Sequence, residues 1–345
     1  MAVVRSCIFL PAKSFLLNPT QNVPMSQGAR SSTPLSLSGM TSPPQTTQNV
    51  GPYTRDEICG RIEHCPKLAS LQVINNKLAS LVKSDKSGNA EIAALIRHDP
   101  SLTARLLRMV NSVYFGLGTQ VGTIEDAVLY LGLRQIRSLA LATPVLEDMS
   151  AMGADRPQVS WRDFWLHTLA CAFATRDLLN QSEVAIDDDT DYITGLLQNV
   201  GKVVMAKVFP AEFAQITQTA YENEAQLLAA ERALLRWDHA AIGAYYLESH
   251  KIPAEIVEAV RFHHDPLKAP ARKHLAAATH LADGYARLAG LSGGVEARPA
   301  PTEDELIADP SAALLWGDDQ AARTARMRPL TASMRRLPEL VNALL

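Results

Sequence analysis

Cysteine is scarce in this chain, aromatic side chains are few, and charge of neither sign is in marked excess. The four cysteines (Cys7, Cys59, Cys65, Cys171) include no C-x-x-C pair, which argues against a disulfide framework and for reduced thiols in the cytoplasm. A formal charge of −3 lacks the basic excess typical of nucleic-acid-binding domains. No apolar run approaches the roughly 18 residues of a membrane span. The N-terminal run around Ile8–Leu10 is broken by Pro11 and Lys13, and no small-residue cleavage site follows, so it does not read as a signal peptide. No stretch alternates with period two long enough to make a strand. What remains, 47% apolar and 20% charged over 345 residues, is an ordinary soluble globular composition with ample core.

Residues 1–52 are rich in Ser, Thr, Pro, Gln and Asn. Such a segment buries too little surface to offset its ordering entropy, so a disordered tail is expected. Met25 and Met40 lie within it and precede similar sequence, so either could serve as a start. From Thr54 the pattern is helical. Helices are expected over 56–65, 68–83 and 91–97, with Asp99-Pro100 as N-cap and first-turn proline of the next. Thr123 and Asp126 start another helix, and Gly132 closes it. A further helix runs from Leu133 and should stop at Ala142, before Pro144.

A polar link at 150–160 separates this half, 53–149, from a second, 160–290. Ser160 and Asp163 open a helix bearing Trp161, Phe164, Trp165, Leu169 and Phe173. The acidic run Asp187, Asp188, Asp189 lacks calcium-loop spacing and reads as a solvated loop at a helix N-terminus. In YITGLLQNVGK, Tyr192–Lys202, apolar residues recur at helical steps, so a buried helix should continue to about Val208. Gly195 and Gly201 would let neighbouring helices approach closely, and Gln198 and Asn199 are amides needing buried partners. Helices should follow around 213–221, 224–236, 238–248, 253–264 and 271–288. Residues 291–345 read as a weakly patterned tail, with an amphipathic helix at Met334–Leu345. The fold class expected is all-α.

The Tyr192–Lys202 stretch resembles the central helix of the HD-domain phosphohydrolases, with Gln198-Asn199 where that family carries His-Asp. RHDPSLTARLLRMVNSVYFG followed by TIEDAVLYLGLRQIRSLAL (Arg97–Gly116 and Thr123–Leu141) resembles the HDOD family, the HD-related output domain, over roughly Ile58–Val260. The resemblance implies a multi-helical HD-like bundle with an N-terminal helical subdomain. It also implies a metal-site remnant: His167 at the first-ligand position, Gln198 and Asn199 at the central pair, His239, His263 and His264 where two-metal relatives add ligands, and Asp283 at the terminal Asp. His98-Asp99 matches the dipeptide by letters only, since Asp99-Pro100 reads as a helix start.

The chemistry at that remnant decides the functional expectation. A hydrolytic metal polarises phosphate and lowers the pKa of its water towards about 7. Asn199 offers only a neutral carbonyl, and Gln198 no imidazole, so no catalytic residue and no resident metal are expected. Nickel or zinc could bind adventitiously. Each retained histidine has a second reading, His167 as a buried hydrogen-bonded imidazole and His263-His264 as a helix C-terminal cap. Among the arginines at 97, 105, 108, 134 and 137, Arg134 and Arg137 share a helical face and are candidates for phosphate or partner contact. The resemblance implies a non-catalytic, cytoplasmic bacterial signal-transduction module, meeting signalling proteins in trans because no receiver domain fits the ends. The alternatives are a residual metal-dependent phosphohydrolase and a nucleotide-sensing pocket.

Overall fold

A computed structural model of the chain describes residues 53–68, 70, 100–112, 115–153, 159–184 and 189–335. Among them lie fifteen α-helices and one short 3-10 turn, and the only β pairing is an isolated bridge between Ala220 and Ala297. None of these helices is long and apolar enough to cross a membrane. The expected tail at 1–52, the helices at 68–83 and 91–97, His98, Asp99 and the stretch 336–345 lie outside the described residues or nearly so.

The first half follows its capping signals. Thr54 and Glu57 close a capping box on α1 (Arg55–Glu63). After α2 (Pro100–Val110), Thr123 accepts the Asp126 amide to start α3 (Ile124–Leu131). Gly132, at φ 80°, ends α3.

The next helix departs from expectation. Helix α4 spans Leu133–Gly153, straight through Pro144, and so takes in the start of the expected polar link. Proline removes one ladder hydrogen bond at about 3 kcal/mol. Leu139, Val145 and Met149 are all buried on this helix, and at about 1.5–3 kcal/mol per side chain their burial outweighs that cost.

The centre is built from α5 (Trp161–Asn180), α6 (Thr190–Leu197), α7 (Val200–Val208), α10 (His239–Ser249) and α12 (Lys273–Leu288). Every residue of α5 from Phe164 to Arg176 is buried, as is the whole of α6. The helix expected to run to Val208 is broken at Gln198-Asn199. There the Lys202 amide bonds the Asn199 carbonyl at 3.0 Å in a tighter i→i+3 turn. Asn favours such turns over helix interiors. Around this core stand α8 (Pro210–Thr217), α9 (Glu224–Leu235) and α11 (Ala254–Phe262).

Two expectations about charge and order are corrected. Asp189 is fully buried, because Arg176 of α5 reaches it at 3.0 Å and Asp191 at 3.0 Å, and Arg134 meets Asp191 at 2.8 Å. The residues after Gly290 are no loose tail as far as Arg335. They form α13 (Glu303–Ala308), α14 (Pro310–Trp316) and α15 (Gln320–Met334), which bury Leu306, Ile307, Leu315 and Met327 against the body.

Candidate functional site

Small residues set the backbone spacing here. A Cβ on Gly195 would fall 2.7 Å from the Cα of Ala172, and one on Gly201 would lie 2.8 Å from the Gly243 nitrogen. The close approaches expected of both glycines are therefore real. They press the Gln198-Asn199 turn against α5 and α10.

His167, on α5, ties Nδ1 to the Leu291 carbonyl at 2.8 Å. Its Nε2 lies 3.0 Å from Asp283 Oδ1, 3.3 Å from Asn199 Nδ2 and 3.4 Å from the Cys171 sulfur. A carbonyl and a carboxylate only accept, so the ring is held between two acceptors. Asn199 Oδ1 and both amide atoms of Gln198 are buried without a hydrogen-bond partner among the described residues. Asp283 turns its other oxygen to Arg298 at 2.9 Å. Burial alone would raise Asp283, yet the His167 hydrogen bond and the Arg298 charge hold its carboxyl well below the usual range. Burial pushes the Cys171 thiol well above its ordinary value, with Asp283 adding to it.

The second cluster is made of imidazoles. His239 donates its backbone N–H to Glu231 at 2.8 Å and ties Nδ1 to the same carboxylate at 2.8 Å. His263 ties Nδ1 to the Val260 carbonyl at 2.7 Å, and its buried Nε2 has no partner among the described residues. His264 places Nε2 2.8 Å from His239 Nε2 and Nδ1 3.1 Å from Glu224. Burial, reinforced by neighbouring positive charge, pushes His239 and His263 well below the ordinary histidine value. Both are therefore neutral near pH 7. Burial also lifts Glu231 to about 8.

An HD fold implies a divalent ion at this place, and the two clusters respond differently to that test. The His167–Asp283 half does not fit one. Its central ligands are amides, and its one carboxylate is already shared between an imidazole and a guanidinium. The trihistidine half does fit, with ligand nitrogens within 4.8 Å of one another. Outer partners fix two of its rings, and one nitrogen lone pair is left over, as in histidine metal sites. Glu231 and Val260 would orient His239 and His263, and the donor set suits a borderline ion such as zinc or nickel.

The expected remnant is thus split in two, bridged by residues the sequence did not single out. Arg298 joins Asp283 to Glu224 at 3.1 Å, and Glu224 in turn holds His264. Lys202 pairs with the buried Glu296 at 2.9 Å. Glu296 and Arg298 lie in a stretch without apolar period, so no local pattern marks them. Arg134 is engaged with Asp191 inside the protein, and the side chain of Arg137 lies outside the described residues.

The fold and site define an all-α, HD-like domain whose central ligand pair is two amides. The chain belongs to the HDOD domain family, which it matches over residues 68–266. It is 28% identical to an uncharacterised protein of Treponema pallidum (strain Nichols) over 216 residues, 62% of this chain but only 40% of that relative. A candidate phosphohydrolase of Shewanella amazonensis SB2B shares the fold at TM-score 0.60 and 23% identity, over 84% of this chain and 98% of that one. A candidate signal-transduction protein of Marinobacter aquaeolei VT8 does so at TM-score 0.64 and 18% identity, over 84% and 65%.

Proposed function

We propose that this chain is a non-catalytic signal-transduction module that acts in the bacterial cytoplasm through contacts with other signalling proteins. One observation carries this reading: the central ligand pair is two amides, and the carboxylate at the terminal-ligand position, Asp283, is engaged by His167 and Arg298. Without a free anionic oxygen there, a hydrolytic metal cannot be held against phosphate or bridge to a second ion. Membership of the output-domain family and three free cysteines, Cys59, Cys65 and Cys171, support the signalling role and the reducing compartment.

The trihistidine cluster favours a second reading, a residual metal-dependent phosphohydrolase. A nucleotide-sensing pocket is the weaker alternative. The cavity beside Asp283, about 270 Å³, is lined by Glu224, Glu305 and Asp309 as well as by Arg287 and Arg298, and these carboxylates disfavour phosphate.

The deciding assay supplies the purified chain with phosphomonoesters, cyclic dinucleotides and guanosine polyphosphates in manganese, magnesium or iron. No turnover is expected. Turnover abolished by His167→Ala would overturn the non-catalytic reading. A pull-down from the native cell then identifies the partner.

A further inference from the structure

Between α11 and α12 the chain presents a short basic face. Residues 267–274 read Leu-Lys-Ala-Pro-Ala-Arg-Lys-His, with three basic side chains and no acidic one in a chain of formal charge −3. Lys268, Arg272 and Lys273 are all exposed, and Leu267 beside them is 48% exposed. Surfaces that need only stay solvated intersperse both signs of charge. Two carboxylates lie close by. Asp265 pairs with Lys268, and Glu258 of α11 is turned onto backbone amides. Neither meets the side chain of Arg272 or Lys273 among the described residues.

The backbone under this face is fixed before any partner arrives. Pro266 opens a 3-10 turn, Pro266–Lys268, and is buried, as is Ala269. The Lys268 and Ala269 amides bond the Asp265 and Pro266 carbonyls at 3.0 and 3.1 Å. Glu258 accepts the Ala271 and Arg272 amides at 2.7 and 2.6 Å, and Pro270 locks its own φ between the two sets of bonds. A surface already ordered loses less conformational entropy on binding.

The number of charges discriminates among partners. A polybasic lipid-binding segment carries about four to eight Lys or Arg, and strongly salt-dependent nucleic-acid binding comes from about six to ten phosphate contacts. Three cations, with no Trp, Tyr or Phe in the stretch, fall short of both. They suit a few carboxylates on another protein, and Leu267 supplies an apolar contact within the same patch.

We propose that residues 267–273 are a docking surface for an acidic protein segment, with Lys268, Arg272 and Lys273 meeting its carboxylates and Leu267 an apolar side chain. The proposal rests on the reading of this chain as a module that works through protein contacts, and it names the chemistry of the partner.

The test titrates the full chain into a short fluorescein-labelled peptide of Glu, Asp and Leu and reads fluorescence anisotropy. The parent should bind it, more weakly as salt rises. Lys268→Gln with Arg272→Gln and Lys273→Gln should weaken binding at least tenfold. Removing three exposed cations elsewhere, Arg55→Gln with Arg236→Gln and Lys251→Gln, should cost less than about threefold, which separates the surface from net charge. Leu267→Ser keeps every charge and should weaken binding about threefold. All these side chains are exposed, so the circular dichroism of each variant should match the parent. No binding by the parent, or equal losses in the two triple variants, overturns the proposal. So does tighter binding of a DNA duplex, or of phosphatidylglycerol–phosphatidylcholine vesicles, than of the peptide. A native partner pulled down equally by the parent and the Lys268, Arg272 and Lys273 variant also overturns it, yet leaves the signalling reading intact. Turnover in the phosphohydrolase assay would instead fail that reading, and the peptide titration would still decide the surface.

Discussion

Gly201 of α7 lies directly against the backbone of His239 at the start of α10: a Cβ at 201 would penetrate the His239 carbonyl and stand 2.8 Å from the Gly243 nitrogen. Helix propensity favours Ala over Gly by about 1 kcal/mol. Overpacking against backbone costs typically 1–3 kcal/mol, and backbone cannot rotate away as a side chain can. The clash wins. Gly201→Ala should lower unfolding free energy by at least 1 kcal/mol net in denaturant titration, and a stabilised variant would refute the close contact.

Asn199→Asp tests whether the central pocket tolerates an anion. The residue is 2% exposed, and Asp283 is already within the same His167 hydrogen-bonding group. An uncompensated buried charge costs about 3–5 kcal/mol. Thermal melts in chelator should show a fall of that order. A variant as stable as the parent would show that the pocket accommodates a second carboxylate.

Arg176 is predicted to hold the two halves together. It meets Asp189 and Asp191, both buried, and donates to the Ser138 hydroxyl of α4, while Arg134 of α4 shares Asp191. Arg176→Met removes the guanidinium that Asp189 and Asp191 share inside the protein, and should cost about 3–5 kcal/mol. Arg176→Lys should rescue little of this, since one ammonium cannot reproduce a fork that serves three acceptors. Chemical denaturation of both variants checks the order.

The His280–Asp309 pair, 3.3 Å apart, gives stability a pH dependence. Burial opposes charge on His280, but the Asp309 hydrogen bond prevails and lifts it from 6.5 to about 9. Burial would raise Asp309, yet His280 holds it below 3.8. A raised folded-state histidine stabilises fully below its unfolded value and loses that contribution as pH rises, here between 6.5 and about 9. The ceiling is about 3 kcal/mol at about 1.36 kcal/mol per unit. The Asp309 contribution has the opposite sense and fades only as pH falls below 3.8. His280→Gln should flatten the alkaline slope in melts taken across that interval. An unchanged slope would place its origin elsewhere.

Local signals carried much of the fold. Thr123 and Gly132 bound α3 because capping is a property of a few adjacent residues, and Gly195 and Gly201 marked close helix packing because only glycine fits it. Long-range pairing was not readable in the same way. Asp189 looked like part of a solvated acidic loop because its partner, Arg176, sits 13 residues earlier on a buried face. Pro144 looked like a helix end because the rule weighs a lost hydrogen bond and not the buried side chains on either side. His167, Asn199 and Asp283 do meet, as the motif implied, and His239, His263 and His264 do meet one another. That Arg298 bridges the two groups depends on how the stretch between α12 and α13 is folded, which no spacing in the sequence encodes.

The stretch between α12 and α13 that carries Arg298 also sets an order of events during synthesis. A chain leaves the ribosome N-terminus first, at about 5–20 residues per second. Arg298 follows Asp283 by 15 residues, so the Asp283 carboxylate awaits its guanidinium for roughly one to three seconds after it is made, and Glu224, earlier in the chain, waits longer. During that interval the nascent bundle holds anions with no fixed counter-charge, and water must continue to solvate them. Final closure of the interior is therefore tied to translation of this stretch, and a ribosome paused just before it would present an open, hydrated bundle to chaperones and proteases.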